Sequence, residues 1–197
     1  MENAPPLVLA SGSAGRLRVL RDAGFDPEVI VSGVDESNDD GLGTPDLVAK
    51  LAQRKAAAVA SIRPAALVLG CDSMLDLDGA AIGKPQSIDE AAATWRRMAG
   101  GSGTLYTGHC LMHGGRAVTS VGATTIRFGT PTEAEIAAYA ATGEPLSLAG
   151  SFSIDGRAAA FLDGIDGDPS NVIGLSLPVL RRLLADLGIA ITDLWRS

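Results

Sequence analysis

Segments typical of β-strands alternate with segments typical of α-helices along the first third of the chain. The apolar run LVLA (7–10) precedes a helical pattern at 15–24, and EVIVSG (28–33) precedes a second helical pattern from about Pro45 to Ile62. This alternation is typical of α/β domains, in which the strands share one sheet and the helices cover it. The sequence therefore predicts an α/β fold.

The middle of the chain predicts antiparallel pairing. The run ALVLGCDSMLDLDG (66–79) reads as a strand that turns at Asp78-Gly79, and two further runs flank Gly114-Gly115 as a long hairpin. The motif SIDE (87–90) is a capping box ahead of a helix whose Ile88, Ala92, Trp95 and Ala99 share one face. The remaining predicted elements are helices over 132–143 and 177–188 and strands over 104–113, 116–129 and 156–167. We expect a mixed sheet flanked by helices, with two lobes around a cleft, in a single domain over residues 1–197.

Charge and composition limit the partners and the location. Acidic residues outnumber basic residues by 23 to 16, which gives a net charge of −7 and no basic field for a nucleic-acid backbone. No signal-peptide pattern is present, and no apolar stretch approaches the roughly 20 residues of a membrane span. Cys71 and Cys110 lack metal-ligand spacing and indicate reduced core residues. We expect a cytoplasmic protein with neither a nucleic-acid nor a membrane partner.

The loop SGSAG (11–15) joins the first strand to the first helix. Its amides and its hydroxyls, those of Ser11 and Ser13, could converge on an anion at the helix N-terminus, where the helix dipole favours negative charge. Arg16 and Arg18 follow in the first turn, where cations oppose the dipole but suit a polyphosphate ligand. The loop is not a Walker A motif, because no Gly-Lys-Ser/Thr ends it. A plain strand-to-helix turn is the alternative.

A lysine interrupts the apolar stripe of the second predicted helix. At helical spacing Lys55 lies in the middle of a stripe formed by Val48, Leu51, Ala52, Val59 and Ile62. Such a lysine either extends along the apolar surface to reach water or points inward at a carboxylate or phosphate. The inward orientation requires a partner, since an unpaired buried ammonium costs several kcal/mol.

Two acidic residues are candidates for catalysis. Asp72, in GCDS (70–73), lies near the predicted C-terminal end of a strand, where open α/β sheets bind ligands, and it could hold a divalent cation or accept a proton from water. The alternative is a turn or capping aspartate. Glu36 belongs to the acidic run VDESNDD (34–40), most of which reads as a solvated loop, and with Asp72 it could form a magnesium or manganese site.

Other titratable residues receive different interpretations. Lys84 lies on the predicted return strand between glycine and proline, which holds a cation on a stiff backbone. His109 and His113 lie four residues apart on one face of a strand, but no third metal ligand accompanies them. Both histidines are therefore predicted to be structural.

Seven segments occur in a fixed order from about Leu7 to Leu187. They are LVLASGSAGRLRVLRDAGF, VDES, LAQRKA, GCDSMLDLDGAAIGKP, LYTGH, AGSFSIDG and GDPSNVIGLSLPVL. In this order they resemble the Maf family of nucleoside triphosphate pyrophosphatases. The resemblance implies an elongated α/β fold similar to that of inosine triphosphate pyrophosphatases. It also implies a homodimeric enzyme that uses magnesium or manganese to cleave nucleoside triphosphates, including modified ones, into the monophosphate and pyrophosphate.

The resemblance also implies roles for individual residues, with Asp72 as the proton acceptor. The implied catalytic residues are Asp72, Glu36, Lys55 and Lys84, the implied metal ligands are Glu36 and Asp72, and the implied substrate-binding residues are Ser11, Ser13, Arg16, Ser73 and Asp155. Ala14 and Gly15 depart from the family pattern, which has proline and arginine there, so one phosphate-directed cation is missing. The family positions linked to base choice fall on Arg16, Ser73 and Asp155. Many members that act on thymidine and uridine triphosphates carry threonine and glutamine at the last two, and GSFSIDG and LDGAAIGKP resemble more closely the branch that prefers methylated guanosine triphosphate, so no single base is predicted.

Two other functions remain open at this point. Sugar nucleotidyltransferases begin with a similar strand and loop, although Ser13 stands where they have glycine and their chains are longer. A non-catalytic nucleotide-binding regulator of cell division is the second alternative, because Maf members have been tied to septum formation. Release of pyrophosphate without a sugar phosphate would separate the predicted hydrolase from both.

Overall fold

The computed structural model describes residues 5–36 and 41–196, and in them a seven-stranded mixed sheet is flanked by helices. The strands are β1 (Leu7–Leu9), β2 (Glu28–Val29), β3 (Leu67–Leu77), β4 (Ala80–Ile82), β5 (Ser102–His113), β6 (Arg116–Phe128) and β7 (Leu162–Asp166). The helices are α1 (Ala14–Asp22), α2 (Thr44–Ala60), α3 (Ile88–Met98), α4 (Glu133–Ala141), α5 (Pro169–Ile173) and α6 (Leu177–Leu187). The predicted α/β class and mixed sheet are confirmed.

The strand order leaves a gap beside the middle of β3. The order is β2-β1-β3-β5-β6-β7, in which β1 is parallel to β2 and β3 and the other pairs are antiparallel. On one side of β3, β1 pairs with Leu67–Leu69 and β4 pairs with Leu75–Leu77. The five residues between these pairings, 70–74, have strand partners only in β5 within the described residues. The side chains of this stretch can therefore face an opening rather than a neighbouring strand.

Both faces of the parallel part of the sheet are buried, which explains its continuous apolar runs. Leu7 and Leu9 face a cluster built with α1 and α6, while Val8 faces a cluster built with α2. A third cluster at the other end of the molecule packs α3 and α4 against β6. Cys71 and Cys110 are buried, free thiols in the first two clusters, as predicted.

Two glycines allow α2 to lie directly against the sheet. A Cβ atom added at Gly70 would collide with the carbonyl oxygen of Ala52, and one at Gly108 would collide with the carbonyl oxygen of Val48. Glycine is therefore required where the helix backbone crosses β3 and β5. This close approach brings Lys55, on the same helix, over the gap in the sheet.

The segment of residues 147–155, here called the strap, crosses near the gap from the other side. It consists mainly of irregular backbone and a 3-10 turn (Ala149–Ser151), and Gly150 and Ser151 have left-handed φ values of 69° and 62°. Two hydrogen bonds anchor it: Trp95 Nε1 donates to the Ser151 carbonyl at 2.9 Å, and the Gly150 amide donates to the Gly83 carbonyl at 2.9 Å. Its position thus depends on a buried tryptophan of α3.

Two predicted strands are shorter than expected. Of the segment 28–33 only Glu28–Val29 forms a strand, because its partner β1 has only three residues. Of the segment 156–167, Arg157–Phe161 forms a 3-10 helix and only Leu162–Asp166 pairs with β6. In both places the available partner, rather than the local pattern, limits the strand.

The predicted hairpins are confirmed. The predicted capping box is not, and two residues predicted to lie on buried helix faces are exposed. Ser87 caps α3 by accepting from the Glu90 amide at 3.1 Å, yet the Glu90 carboxylate accepts from the Gln86 amide and not from Ser87. Ile88 is 45% exposed because it lies in the first turn, and Ile62 is 64% exposed because α2 ends before it. Within the described residues, no helix combines the length and apolar character that crossing a bilayer requires.

Candidate active site

A cavity of about 1010 Å³ lies at the gap in the sheet. It is lined by the loop after β1, the start of α1, the loop after β2, the middle of β3, the loop after β4 and the strap. All of the residues that the sequence singled out for substrate or metal, from Ser11 and Ser13 to Asp155, line this cavity. The fold therefore brings together side chains that are as much as 144 positions apart in the chain.

Lys55 is the centre of the site. Its Nζ atom lies 2.5 Å from Oδ1 of Asp72 and 2.5 Å from Oε1 of Glu36. The side chains of Lys55 and Asp72 are 8% and 6% exposed, whereas that of Glu36 is 56% exposed. The lysine thus points inward at carboxylates, and the alternative in which it reaches along the surface to water is wrong.

Asp72 lies in the interior of a strand and not near its end as predicted. It is in the middle of β3, pairing with Gly108 of β5, but the parallel partner β1 stops at Leu9. The end of β1, rather than the end of β3, opens the sheet beside the carboxylate. The turn or capping alternative for Asp72 is also wrong, because the residue has regular strand pairing.

The two carboxylates differ in their proton affinity. Burial raises the pKa of Asp72 above its ordinary value, and the charges of Lys55 and Arg16 only partly offset this effect. Burial also acts to raise the pKa of Glu36, but the hydrogen bond and charge of Lys55, with the charges of Lys84 and Arg16, lower it overall. The Oδ2 atom of Asp72 is buried and has no hydrogen-bond partner in the described structure. Asp72 therefore carries the acceptor atom best suited to take a proton.

Arg16 is held by the protein itself. Its Nε donates to the Gly174 carbonyl at 2.8 Å, Nη1 donates to the Ser11 hydroxyl at 2.8 Å, and Nη2 donates to the Ser73 hydroxyl at 3.1 Å. The residue is only 8% exposed. Arg16 thus ties the loop after β1 to β3 and to the end of α5, a role that the sequence did not reveal.

The loop after β1 presents free amides at the start of α1. Ser13 caps this helix by accepting from the Arg16 amide at 3.4 Å, and the Ser13 amide donates to the Ser11 hydroxyl at 3.3 Å. The N–H groups of the first helical turn have no intrahelical acceptor. Because Ala14 and Gly15 line the cavity, their amides are available to an anion there.

A buried chain of hydrogen bonds supports Ser73 from behind. The Ser73 hydroxyl lies 2.9 Å from the Thr107 hydroxyl, which donates to the Asn171 carbonyl at 3.0 Å. Asn171 Nδ2 donates to the Leu105 carbonyl at 3.1 Å. Thr107 and Asn171 lie in two of the segments that carry the family resemblance, but nothing in the sequence singles them out as site residues, because each contact joins residues at least 34 positions apart.

The remaining candidates occupy different positions. Lys84 lies in the loop just after β4 rather than on the strand, because the pairing with β3 ends at Ile82. It is exposed, and its ammonium forms no hydrogen bond or ion pair with the described residues. Arg18, on α1, forms an ion pair with Asp155 of the strap, and the Ser153 hydroxyl also donates to Asp155. Residues 37–40 of the predicted acidic loop lie outside the described residues.

The histidines lie away from the cavity lining. His109 is fully buried, its Nε2 accepts from the Ser176 amide at 2.7 Å, and burial lowers its pKa to about 4. His113 Nδ1 lies 3.1 Å from the Ala66 carbonyl. Both contacts agree with the structural roles predicted for the pair. No group of three or more histidine, cysteine or acidic side chains positioned for a metal occurs in the part of the chain that the structure describes.

The chain is similar to known proteins over nearly its whole length. A family model described as Maf-like protein matches residues 6–187. A nucleoside triphosphate pyrophosphatase from Streptomyces coelicolor is 58% identical over 194 residues, covering 96% of this chain and 94% of that protein. Proteins of the same name from Mycobacterium sp. (strain JLS) and Salinispora tropica are 52% and 50% identical, covering 96% of this chain in each case and 97% and 87% of the relatives.

Proposed function

The chain belongs to the Maf family, and we propose that its cavity binds a nucleoside triphosphate for attack by water on the α-phosphorus. The chain is a nucleoside triphosphate pyrophosphatase, a hydrolase that acts on an acid anhydride. Its products are the nucleoside monophosphate and pyrophosphate. The finer assignment of roles rests on the geometry of the cavity.

The buried Asp72 carboxylate is the observation that carries the proposal. Its Oδ1 is held by Lys55 and its Oδ2 has no partner in the described structure, so one oxygen is fixed and the other is free to take a proton from water. Its raised pKa brings its basicity closer to what general base catalysis at neutral pH requires. Lys55 keeps the carboxylate oriented and offsets part of its charge.

Cations and amides in the cavity suit the phosphate chain. The amides of Ala14 and Gly15 lie at a helix N-terminus, and the hydroxyls of Ser11 and Ser13 brace that loop. Lys84 has an ammonium without a protein partner among the described residues and is suited to the leaving pyrophosphate. Arg16, Ser73 and Asp155 stay in the substrate-binding set that the resemblance implies. Arg16 and Ser73 form the cavity wall that orients the nucleotide, whereas Asp155 acts on the substrate indirectly, through the arginine with which it pairs.

The acidic pair fits a divalent cation of the magnesium or manganese type. Asp72 and Glu36 both approach Lys55 and both line the cavity, and hard cations favour one or two carboxylates together with substrate phosphates and water. Glu36 and Asp72 would supply its protein ligands, and the charge of Lys55 between them would limit how much of the positive charge the cation has to provide. When bound, the cation would neutralise charge on the phosphate oxygens.

The location, the oligomeric state and the partners of the enzyme are also part of the proposal. We propose that the enzyme acts in the cytoplasm, where its nucleotide substrate is made and used, as the homodimer that the family resemblance implies. Its net charge of −7 argues against a nucleic-acid partner. A hydrolysis screen over standard and modified nucleoside triphosphates, with magnesium and with manganese, identifies the base and the metal, and light scattering measures the oligomeric state.

The Asp72→Asn variant tests the proposal. It removes the proton acceptor while keeping the shape of the side chain, so kcat should fall by about a factor of 10³, in the range expected for loss of a general base. Asp78→Asn is the matched control, because Asp78 is an exposed turn residue at the end of the same strand and asparagine tolerates its left-handed backbone. Near wild-type pyrophosphate release by Asp72→Asn, with the fold intact by circular dichroism, would remove Asp72 from its role.

A further inference from the structure

Two arginines on α1 line the same cavity but differ in exposure and in the number of their protein partners. Arg16 is 8% exposed, and its guanidinium donates hydrogen bonds to three protein acceptors, so this group forms part of the cavity wall. The Arg18 side chain is 52% exposed, and in the described structure its guanidinium pairs with Asp155 alone. Of the two arginines, Arg18 is therefore the one whose charge can be transferred to a ligand.

The partner of Arg18 comes from a different part of the cavity lining. Arg18 belongs to α1, and Asp155 ends the strap, which is anchored separately by Trp95 and Gly83. The ion pair thus joins two separate parts of the cavity lining, a helix and the strap. Both residues line the cavity, so a nucleotide that fills it meets this pair directly.

An exposed ion pair of this kind is easily exchanged. Half-exposed pairs contribute little to stability, because water screens the charges and two flexible side chains must be ordered. A triphosphate offers several negative charges and multiple acceptor oxygens to a guanidinium, which binds phosphate in a forked geometry. The Asp155 carboxylate would keep one donor, the Ser153 hydroxyl, and the Asp155 amide in turn donates to the oxygen of that hydroxyl.

We propose that Arg18 is a further triphosphate-binding residue and that Asp155 is its partner only while no nucleotide is bound. The inference rests on the proposed use of this cavity for a nucleoside triphosphate. It gives Asp155 a defined effect on affinity: its carboxylate competes with the substrate for Arg18. The free enzyme thereby keeps a cation at the cavity without exposing it unpaired.

Steady-state kinetics of Arg18→Gln, Asp155→Asn and the double variant test this exchange. Arg18→Gln should raise KM about tenfold with kcat within about threefold of wild type, because the lost contact binds substrate and transition state alike. Asp155→Asn should lower KM about threefold, and this gain should vanish when Arg18 is absent. Arg21→Gln is the matched control, since Arg21 is an exposed cation of the same helix outside the cavity lining.

Inorganic tripolyphosphate, used as a competitive inhibitor, identifies the part of the nucleotide that Arg18 contacts. Its inhibition constant should rise in Arg18→Gln by the same factor as KM. An unchanged inhibition constant, an unchanged KM, or an Asp155→Asn effect of equal size with and without Arg18 would each overturn the inference. Pyrophosphate release by the wild-type enzyme tests the proposed function separately, so failure of the exchange leaves the hydrolase assignment standing.

Discussion

The cavity is lined by two carboxylate–cation pairs that differ in burial. Lys55 and Asp72, on α2 and β3, are 8% and 6% exposed, whereas Arg18 and Asp155, on α1 and the strap, are 52% and 31% exposed. The first pair belongs to regular elements packed backbone to backbone through glycines, and the second joins a helix to a segment of turns. Burial fixes the first pair for chemistry, and exposure leaves the second free to exchange with a ligand.

Removing the cation of the buried pair should have the largest effect. Lys55→Met leaves the Asp72 carboxylate buried without its main counter-charge, so we expect about 3 kcal/mol less stability and a fall in kcat of at least about a hundredfold. Chemical denaturation and pyrophosphate release measure the two effects. Arg54→Met removes a neighbouring cation of α2 that lies outside the cavity lining, and it should change neither quantity appreciably. Equal losses in both variants would contradict the special place of Lys55.

A second test concerns His109, a fully buried residue of β5, the strand that pairs with the strand of Asp72. Its folded-state pKa of about 4 lies below the ordinary 6.5, so the unfolded chain binds a proton first as the pH falls. The corresponding stability is present above pH 6.5 and is lost between pH 6.5 and 4, by about 3 kcal/mol in total. His109→Gln should lack this loss, and the difference between the two unfolding curves across this pH range measures it. Parallel curves would contradict the buried, neutral histidine.

The charges around Asp72 can be separated by titration of metal-free protein. Lys55 lowers the pKa of Asp72 and Glu36 raises it, so Lys55→Met should move the Asp72 titration to higher pH and Glu36→Gln should move it to lower pH. Carbon NMR of the labelled carboxyl group reports both directions. In the wild type the midpoint should lie above that of an ordinary aspartate, because burial is the dominant cause. If both variants shifted the pKa of Asp72 in the same direction, the arrangement of Lys55 between Asp72 and Glu36 would be contradicted.

Breaking the exposed pair should have the smallest effect on stability. A double-mutant cycle of Arg18→Gln and Asp155→Asn should give a coupling free energy of no more than about 1 kcal/mol after solvent screening. Thermal or chemical unfolding of the four proteins measures it. A coupling as large as the loss in Lys55→Met would remove the distinction between a fixed and an exchangeable pair.

Local sequence patterns identified the buried residues Lys55 and Asp72 better than they identified the contacts around these residues. The apolar stripe located Lys55, because a helix repeats its faces every three to four residues, and the strand pattern located Asp72. The position of Asp72 within β3 was wrong because where β1 stops depends on pairing between distant strands. Arg16 lines the cavity, but its acceptors at Gly174 and Ser73 are 158 and 57 positions away and leave no local signal.

The strap was the least predictable part of the cavity. Its 3-10 turn and left-handed residues follow no apolar period, and the neighbouring segment with three alanines was mistaken for a strand. Its anchor, the hydrogen bond from Trp95, spans 56 positions. Family resemblance pointed to Asp155, but only the three-dimensional arrangement pairs this residue with Arg18.

The proposed reaction is attack by water on the α-phosphorus of a nucleoside triphosphate in the cavity beside Asp72. Hydrolysis in water enriched in oxygen-18, followed by mass spectrometry of both products, tests it most directly. Attack at the α-phosphorus should place one labelled oxygen in the nucleoside monophosphate and none in pyrophosphate. Label in pyrophosphate, or release of labelled orthophosphate instead, would contradict it.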